Sequence, residues 1–303
     1  MALIPLTKEQ EEAILHKAGY TATKLAEDVA VIREWLDQQE HLPPSRKNEN
    51  DAFITNFLLG CKGKLSSCKK KLDAYYSLRS HYGQLFSDRN PEDLEPSLQY
   101  LEAMTIPKPT EDGCRINVAV LTDQEFNFEA CLKRILLVLE IRLRSEAIYA
   151  GDYIISDVGM FLPKHIFKVS IPLLHQFLQF ALKAIPYRLK GLIFFNTSYL
   201  FEVGINRFLK PFLKAQIAKR VYMYSEGKEI LRKHFDVSFL PKEFGGATYE
   251  IKPLSEYWLE EGKAWKEWFL TDGSELTDES KRPQNQSYFR SFWTPHAKQT
   301  TAT

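Results

Sequence analysis

From Val169 to Ala184 the chain reads VSIPLLHQFLQFALKA. Ile171, Leu173, Leu174, Phe177, Leu178, Phe180, Ala181 and Leu182 leave almost no polar side, and a helix of this kind has to be buried all round. Two arrangements satisfy it. It is a core helix packed between a sheet and its neighbours, or one of its faces lines an internal apolar cavity. Either way the chain must surround it, and at 303 residues it can bury about three-quarters of its unfolded surface without staples.

The composition excludes several functions. A formal net charge of +1 argues against a general nucleic-acid binder. Cys61, Cys68, Cys114 and Cys131 form no CxxC pair and no metal-ligand spacing with histidine, so no metal and no cofactor are expected. Isolated thiols read as cytosolic. MALIPLTKEQEEAILHK is not a signal peptide, and no apolar run reaches membrane-span length. The triplets Asn196-Thr197-Ser198 and Asn285-Gln286-Ser287 therefore read as chance. A soluble cytoplasmic protein is expected, monomeric by default.

The first eighty residues are helical in pattern. Thr7 followed by acids resembles a capping box. Leu25, Val29, Ile32 and Leu36 recur at helical spacing, and HLPPS ends their helix. Two more helices follow, with apolar faces Phe53-Phe57-Leu58 and Leu72-Tyr75-Tyr76; together these segments predict a bundle of three or four helices. From Asn90 strand-like INVAVL (116–121), DYIIS (152–156), GLIFFN (191–196) and TYEI (248–251) alternate with helical segments 129–147, 169–184 and 208–221. That alternation predicts an α/β domain with a mainly parallel sheet. An amphipathic helix after Pro253 carries Trp258, Trp265, Trp268 and Phe269 on one side, and its acidic polar face favours docking on the domain over a membrane surface. From Thr271 the tail is polar and irregular.

No catalytic pattern emerges. GCKGKLSS has the wrong spacing for a phosphate loop, and neither a G-x-S-x-G elbow nor H-E-x-x-H occurs. His165 and His175 flank an apolar helix, the setting of structural histidines. Asp152 and Asp157 lie on opposite faces of a strand and form no acid/base pair. An enzyme is not expected. Instead Arg188, Lys190, Arg207, Lys210, Lys214, Lys219 and Arg220 bracket FFNTSYLFEVGINRFLKPFL. They are either a solvated positive face or an anionic-lipid contact, with cations on phosphates and neighbouring Phe and Leu in the interface.

GLIFFN, FLKPFLKAQIAKRV and LPKEFGG, in this order, resemble the CRAL-TRIO lipid-binding family, and within it the alpha-tocopherol transfer protein branch and its insect relatives. FITNFLLGCKGKLSSCKKKLDAYYSLR fits that family's helical annex, GDYIISDVGMF its strand ending in aspartate, and TDESKRP its tail. The resemblance implies an N-terminal helical domain over 1–90, a lipid-binding domain over 91–252 and a C-terminal helix and tail over 253–303. The sheet would be the floor of one apolar cavity closed by a lid helix, about Ser198–Lys214. By the same resemblance Ile135, Val138, Leu139, Ser156, Val169, Phe177, Phe180, Ala181, Ile185 and Leu192 line the cavity. The lid would add Phe201, Ile205, Phe208, Leu209 and Leu213, and Ser156 would partner a polar atom of the ligand.

Arg188, Lys190 and Arg220 match phosphoinositide-contacting positions, with Lys210, Lys214 and Lys219 beside them. The chain departs from the pattern at Gln216, where a basic residue is usual, and at Tyr187, which replaces the acid partner of Lys210. EDGCR (111–115) also departs from the usual turn before the first strand. Lodging phosphatidylinositol inside is therefore not expected. The implied function is an intracellular carrier of one hydrophobic ligand (a tocopherol, a retinoid or a similar isoprenoid) that exchanges at anionic membranes in peripheral, reversible contact. The alternative is a lipid-gated scaffold that switches a protein partner. Gly245-Gly246 would supply positive φ angles for a corner into an edge strand at TYEI.

Overall fold

A computed structural model describes residues 2–122 and 125–283 of the chain. Four helices open it: α1 (Lys8–Ala18), α2 (Ala22–Asp37), α3 (Asp51–Gly60) and α4 (Leu65–His81). The capping box of α1 closes through an amide. Gln10 N donates to Thr7 Oγ1 at 3.2 Å while Thr7 N donates to Gln10 Oε1 at 3.0 Å. Ile32 and Leu36 of α2, Phe53, Phe57 and Leu58 of α3, and Leu72, Tyr75 and Tyr76 of α4 are all buried in one core. That core is not confined to the bundle. Phe180, Ala184 and Ile185, from the apolar helix of the next region, belong to it.

The sheet has five strands in the order β1-β2-β3-β4-β5: β1 (Leu101–Thr105), β2 (Cys114–Leu121), β3 (Gly151–Asp157), β4 (Leu189–Phe195) and β5 (Val221–Met223). β1 runs antiparallel to β2, and the other neighbours pair in parallel. β2, β3 and β4 answer to the three central strand-like segments of the sequence. TYEI forms no strand. Lys242 N donates to Tyr249 O at 2.7 Å, and Ile251 already begins the helix Ile251–Ala264, its N–H held by Glu243 Oε1 at 3.0 Å. Four residues of strand-like composition here are only the lead-in to a helix that buries Ile251, Leu254, Trp258 and Leu259. Trp258 Nε1 donates to Thr105 O at 3.0 Å, and Ser255 Oγ accepts from Ala103 N at 3.1 Å, so this helix docks on β1.

Of the two glycines in the preceding corner, only Gly245 has a positive φ, +97°. Gly246 answers a different need, because a Cβ there would fall on the carbonyl of Leu240.

The predicted helix 208–221 is broken. A π turn (Ile205–Leu209) and a 3-10 turn (Lys210–Phe212) give way to extended Leu213 and Lys214. A single turn (Ala215–Ala218) then leads into β5. Pro211 cannot supply the N–H that an α-helix would need there. The tail after Thr271 is short 3-10 turns tied to the bundle. Asp278 N donates to His41 O at 2.8 Å, and Arg282 reaches both oxygens of Asp73 at 2.8 and 2.9 Å. Asn285-Gln286-Ser287 and the rest of the tail lie outside the described residues.

Candidate functional site

Above the sheet lies an apolar cavity of about 1500 Å³. Alternation along the strands builds its floor: Ile154 and Ser156 of β3 and Leu192 and Phe194 of β4 face it, while Ile155, Ile193 and Phe195 point into the packed core on the other side. The helix Phe128–Ser145 adds Ile135, Val138 and Leu139. The helix Ile171–Gln179 continues as a π turn, Phe180–Ala184, and adds Leu174, Phe177, Leu178 and Ala181.

Every predicted lining residue except Phe180 borders this cavity. Phe180 is fully buried on the opposite side, against Tyr75 at 5.7 Å and Phe86 at 4.7 Å between ring centroids. A helix apolar on all sides gives no phase from which to tell its two buried faces apart. Ile154 and Phe194 were missed, although strand alternation with Ser156 and Leu192 places them on the same face. Arg142 and Tyr187 also line the cavity, and no local pattern announces them.

The lid begins at Tyr199, with Ser198 Oγ accepting from Phe201 N at 3.3 Å as its N-cap. Phe201 plugs the roof, edge-on to Phe194 at 5.1 Å and Phe161 at 5.5 Å. The lid's helix ends in the π and 3-10 turns before extended Leu213–Lys214. Large apolar side chains are exposed in this region: Phe167 is 92% exposed and Tyr199 79%, with Phe212 also exposed, while Ile166, Ile171, Leu200 and Val203 are exposed and border the cavity.

Ser156 Oγ donates to Ala119 O at 2.6 Å. Its proton is thus committed within the sheet, and the oxygen can only accept from a ligand. The predicted basic set divides in two. Arg188, Lys190 and Arg220 line the outer end of the cavity, whereas Lys210, Lys214 and Lys219 do not. Arg188 lies over the ring of Tyr149 with Cζ 4.4 Å from its centroid, Lys190 is 3.9 Å from Asp112, and Arg220 donates to the carbonyl of Leu189. At the same end Lys71 of α4 donates to the carbonyls of Lys183 and Ile185 at 3.0 and 2.8 Å. Burial, with Lys214 nearby, lowers the Lys71 amine to about 8.

Neither histidine is placed for chemistry. His165 is buried, accepts from Leu162 N at 3.0 Å and packs edge-on to Phe126, while His175 packs on Phe212 of the lid. Asp152 pairs with Arg142 at 2.7 Å, and Asp157 accepts from Asn196 Nδ2 at 2.8 Å, so the two aspartates do separate structural work. Among the described residues no cluster of potential metal ligands occurs, and no helix is long and apolar enough to cross a membrane.

Comparison with known proteins places two family models on the chain: a Pinta-like UBA domain over residues 21–96 and a CRAL/TRIO domain over 104–246. The human alpha-tocopherol transfer protein-like protein is 27% identical over 236 residues, taking in 74% of this chain and 66% of its own length. Clavesin-1 of Rattus norvegicus is 25% identical over 230 residues, 73% of this chain and 64% of its own. The chain thus spans just under two thirds of the length of these relatives. The crystal structure of Sfh5 superposes with a TM-score of 0.44 at 13% identity, over 85% of this chain and 98% of that one.

Proposed function

This chain carries a CRAL/TRIO domain, and from that premise we propose that it is an intracellular lipid carrier: it takes one hydrophobic molecule into the lidded cavity and delivers it at membranes. The observation that carries the reading is the apolar chamber of about 1500 Å³ roofed by a segment that carries exposed apolar side chains, Tyr199 and Phe212 among them. Removing a hydrocarbon from water stabilises it by roughly 25 cal/mol per Å² of apolar surface, so such a chamber binds lipid without any polar code. A tocopherol, a retinoid or a similar isoprenoid is the cargo class the resemblance to the alpha-tocopherol transfer protein-like relatives favours.

Lid and membrane act together in this reading. Phe167 and Tyr199 enter the interface, and the solvent-exposed Lys214 and Lys219, with Lys210 beside them, meet anionic headgroups such as phosphoinositides. A membrane that binds the open lid better than the closed one shifts the population toward release.

The test is transfer. Lipid-free protein is mixed with donor vesicles carrying tocopherol or retinol, and appearance of the lipid in acceptor vesicles is followed in time. A carrier accelerates it, and Phe167→Ser slows it while leaving cargo affinity in solution unchanged. Replacing Lys214 and Lys219 together by alanine slows transfer to anionic acceptors more than to neutral ones. If neither lipid is ever extracted, and a fatty acid offered in the same way is not extracted either, the carrier reading is wrong.

A further inference from the structure

The outer end of the cavity is not built for a plain hydrocarbon. The ring of Tyr149 lies within reach of two guanidinium groups, with Arg188 Cζ at 4.4 Å and Arg142 Cζ at 5.0 Å from its centroid. Arg142 gives both terminal nitrogens to the protein, only its buried Nε being without a partner: Nη1 donates to Asp152 Oδ1 at 2.7 Å and Asn117 Oδ1 at 2.9 Å, and Nη2 to Glu146 Oε2 at 3.2 Å. The other oxygen of Glu146 accepts from Arg115 Nε at 2.7 Å. Both carboxylates of the cluster are therefore taken by Arg115 and Arg142.

Arg188 makes no ion pair among the described residues, and its Nε and Nη2 are buried without a hydrogen-bond partner. Three arginines against two carboxylates leave one positive charge. The chain neighbour of Arg188, Tyr187, also lines the cavity, and no hydrogen bond of the Tyr187 hydroxyl occurs among the described residues. Burial raises the Tyr187 phenol well above its ordinary value, which keeps it a donor. Further out, the three carboxylates Glu9, Glu111 and Asp112 are outnumbered by the four cations Lys17, Lys62, Lys190 and Arg220, so the mouth itself holds no surplus anion.

We propose that this end of the cavity binds the terminal carboxylate of a single-chain amphiphile, an isoprenoid acid or a fatty acid, with Arg188 and Tyr187 as the recognising groups. The proposal rests on the carrier reading and narrows its cargo. A half-buried guanidinium with two enclosed, unpartnered nitrogens and no counter-ion is costly, and a carboxylate arriving from the cavity side supplies the missing charge and accepts from both donors. A neutral alcohol is the rival, because Asp152 Oδ2 is also buried without a partner and would accept from a hydroxyl. The charge count decides against it: an alcohol leaves Arg188 uncompensated.

The experiment measures equilibrium binding of radiolabelled oleic acid, oleyl alcohol and methyl oleate to the lipid-free full chain in vesicle-free buffer at pH 8. The acid binds about tenfold or more tightly than either neutral analogue, as a charge-assisted contact would give. Arg188→Met brings the three affinities within about twofold of one another, Arg188→Lys restores part of the preference, and Tyr187→Phe weakens the acid alone by a few-fold. Equal affinities in the parent protein, or an alcohol that binds best, overturn the assignment but leave the carrier reading standing. Failure of all three to bind overturns the assignment, and failure of tocopherol and retinol in the transfer assay as well overturns both.

A second arm separates the two sources of the anion. Vesicles containing phosphatidylinositol bisphosphate are sedimented with parent and Arg188→Met protein. If the variant loses vesicle binding yet keeps the preference for oleic acid, Arg188 reads a membrane headgroup and not the cargo, and the proposal fails.

Discussion

Phe177 and Phe180 stand three residues apart on one apolar segment and both touch the bundle core, yet only Phe177 opens onto the cavity. Phe180 is fully enclosed by Tyr75, Phe86 and the rest of the bundle core, while Phe177 borders a cavity of about 1500 Å³. The bundle side obtains its stability from atoms already in contact. The cavity side forgoes part of that dispersion energy, because its lining atoms lack neighbours on one side until a ligand supplies them. The helix is thus a partition: one wall belongs to the fold and the other to the cargo.

The largest effect expected separates the two walls directly. Phe180→Ala should cost about 3–5 kcal/mol of unfolding free energy, and Phe177→Ala less than about half of that, read from urea midpoints of the lipid-free protein. Equal losses would mean that the cavity wall is as tightly packed as the core.

Next in size is the ligand itself. At a free concentration one hundred times its dissociation constant, a bound lipid should add about 2.7 kcal/mol, and hydrogen exchange should place the new protection on the lid and the floor strands, not on α3 and α4. Protection appearing first in the bundle would contradict the division.

Overfilling sharpens the same contrast. Ala184 is fully buried on the packed side, so Ala184→Leu should destabilise by about 1–3 kcal/mol. Ala181 borders the cavity, so Ala181→Leu should change stability little and lower cargo affinity instead.

The smallest effect lies at the seam. Burial, and then Lys214, depress the Lys71 amine to about 8. In the unfolded chain it titrates at about 10.4, so between those values the unfolded state holds more protons. Stability of the parent protein relative to Lys71→Met should therefore rise as pH goes from about 8 toward 10.4, and fall as pH drops through 8. A flat difference would show that the amine is hydrated and not held by the carbonyls of Lys183 and Ile185.

What the sequence made legible follows from the strength of each periodic signal. The face of α2 formed by Leu25, Val29, Ile32 and Leu36, the helix Phe128–Ser145 and the three central strands are long enough for a 3.6- or 2-residue period to stand out. β1 and β5 are not. Val221–Met223 has three residues and follows what reads as an unbroken helix, and Leu101–Thr105 carries Glu102 and Thr105 as buried residues. The lid's succession of α, π and 3-10 turns is set by Pro211 together with packing over the cavity, and packing has no local signature.

Within the site, the apolar walls were legible because a cavity lining and a core draw on the same residue types. For that reason Phe180 was assigned to the wrong side. Arg142 comes from a helix and Tyr149 and Tyr187 from two separate loops, and only the fold shows that they share a neighbourhood.

The tie between Arg282 and Asp73 has a consequence for the order in which the molecule is made. The two residues are 209 positions apart, so at 5–20 residues per second the ribosome reaches Arg282 roughly 10–40 s after Asp73. During that interval α4 can fold, but its buried carboxylate has only His41 and Ser77 for partners. In the finished protein burial raises this carboxyl, and His41 and Arg282 outweigh it and hold the group below its ordinary value. The last described turn of the chain therefore neutralises a charge left open near the first, and the helical bundle reaches its final stability only after the cavity domain between them has been synthesised.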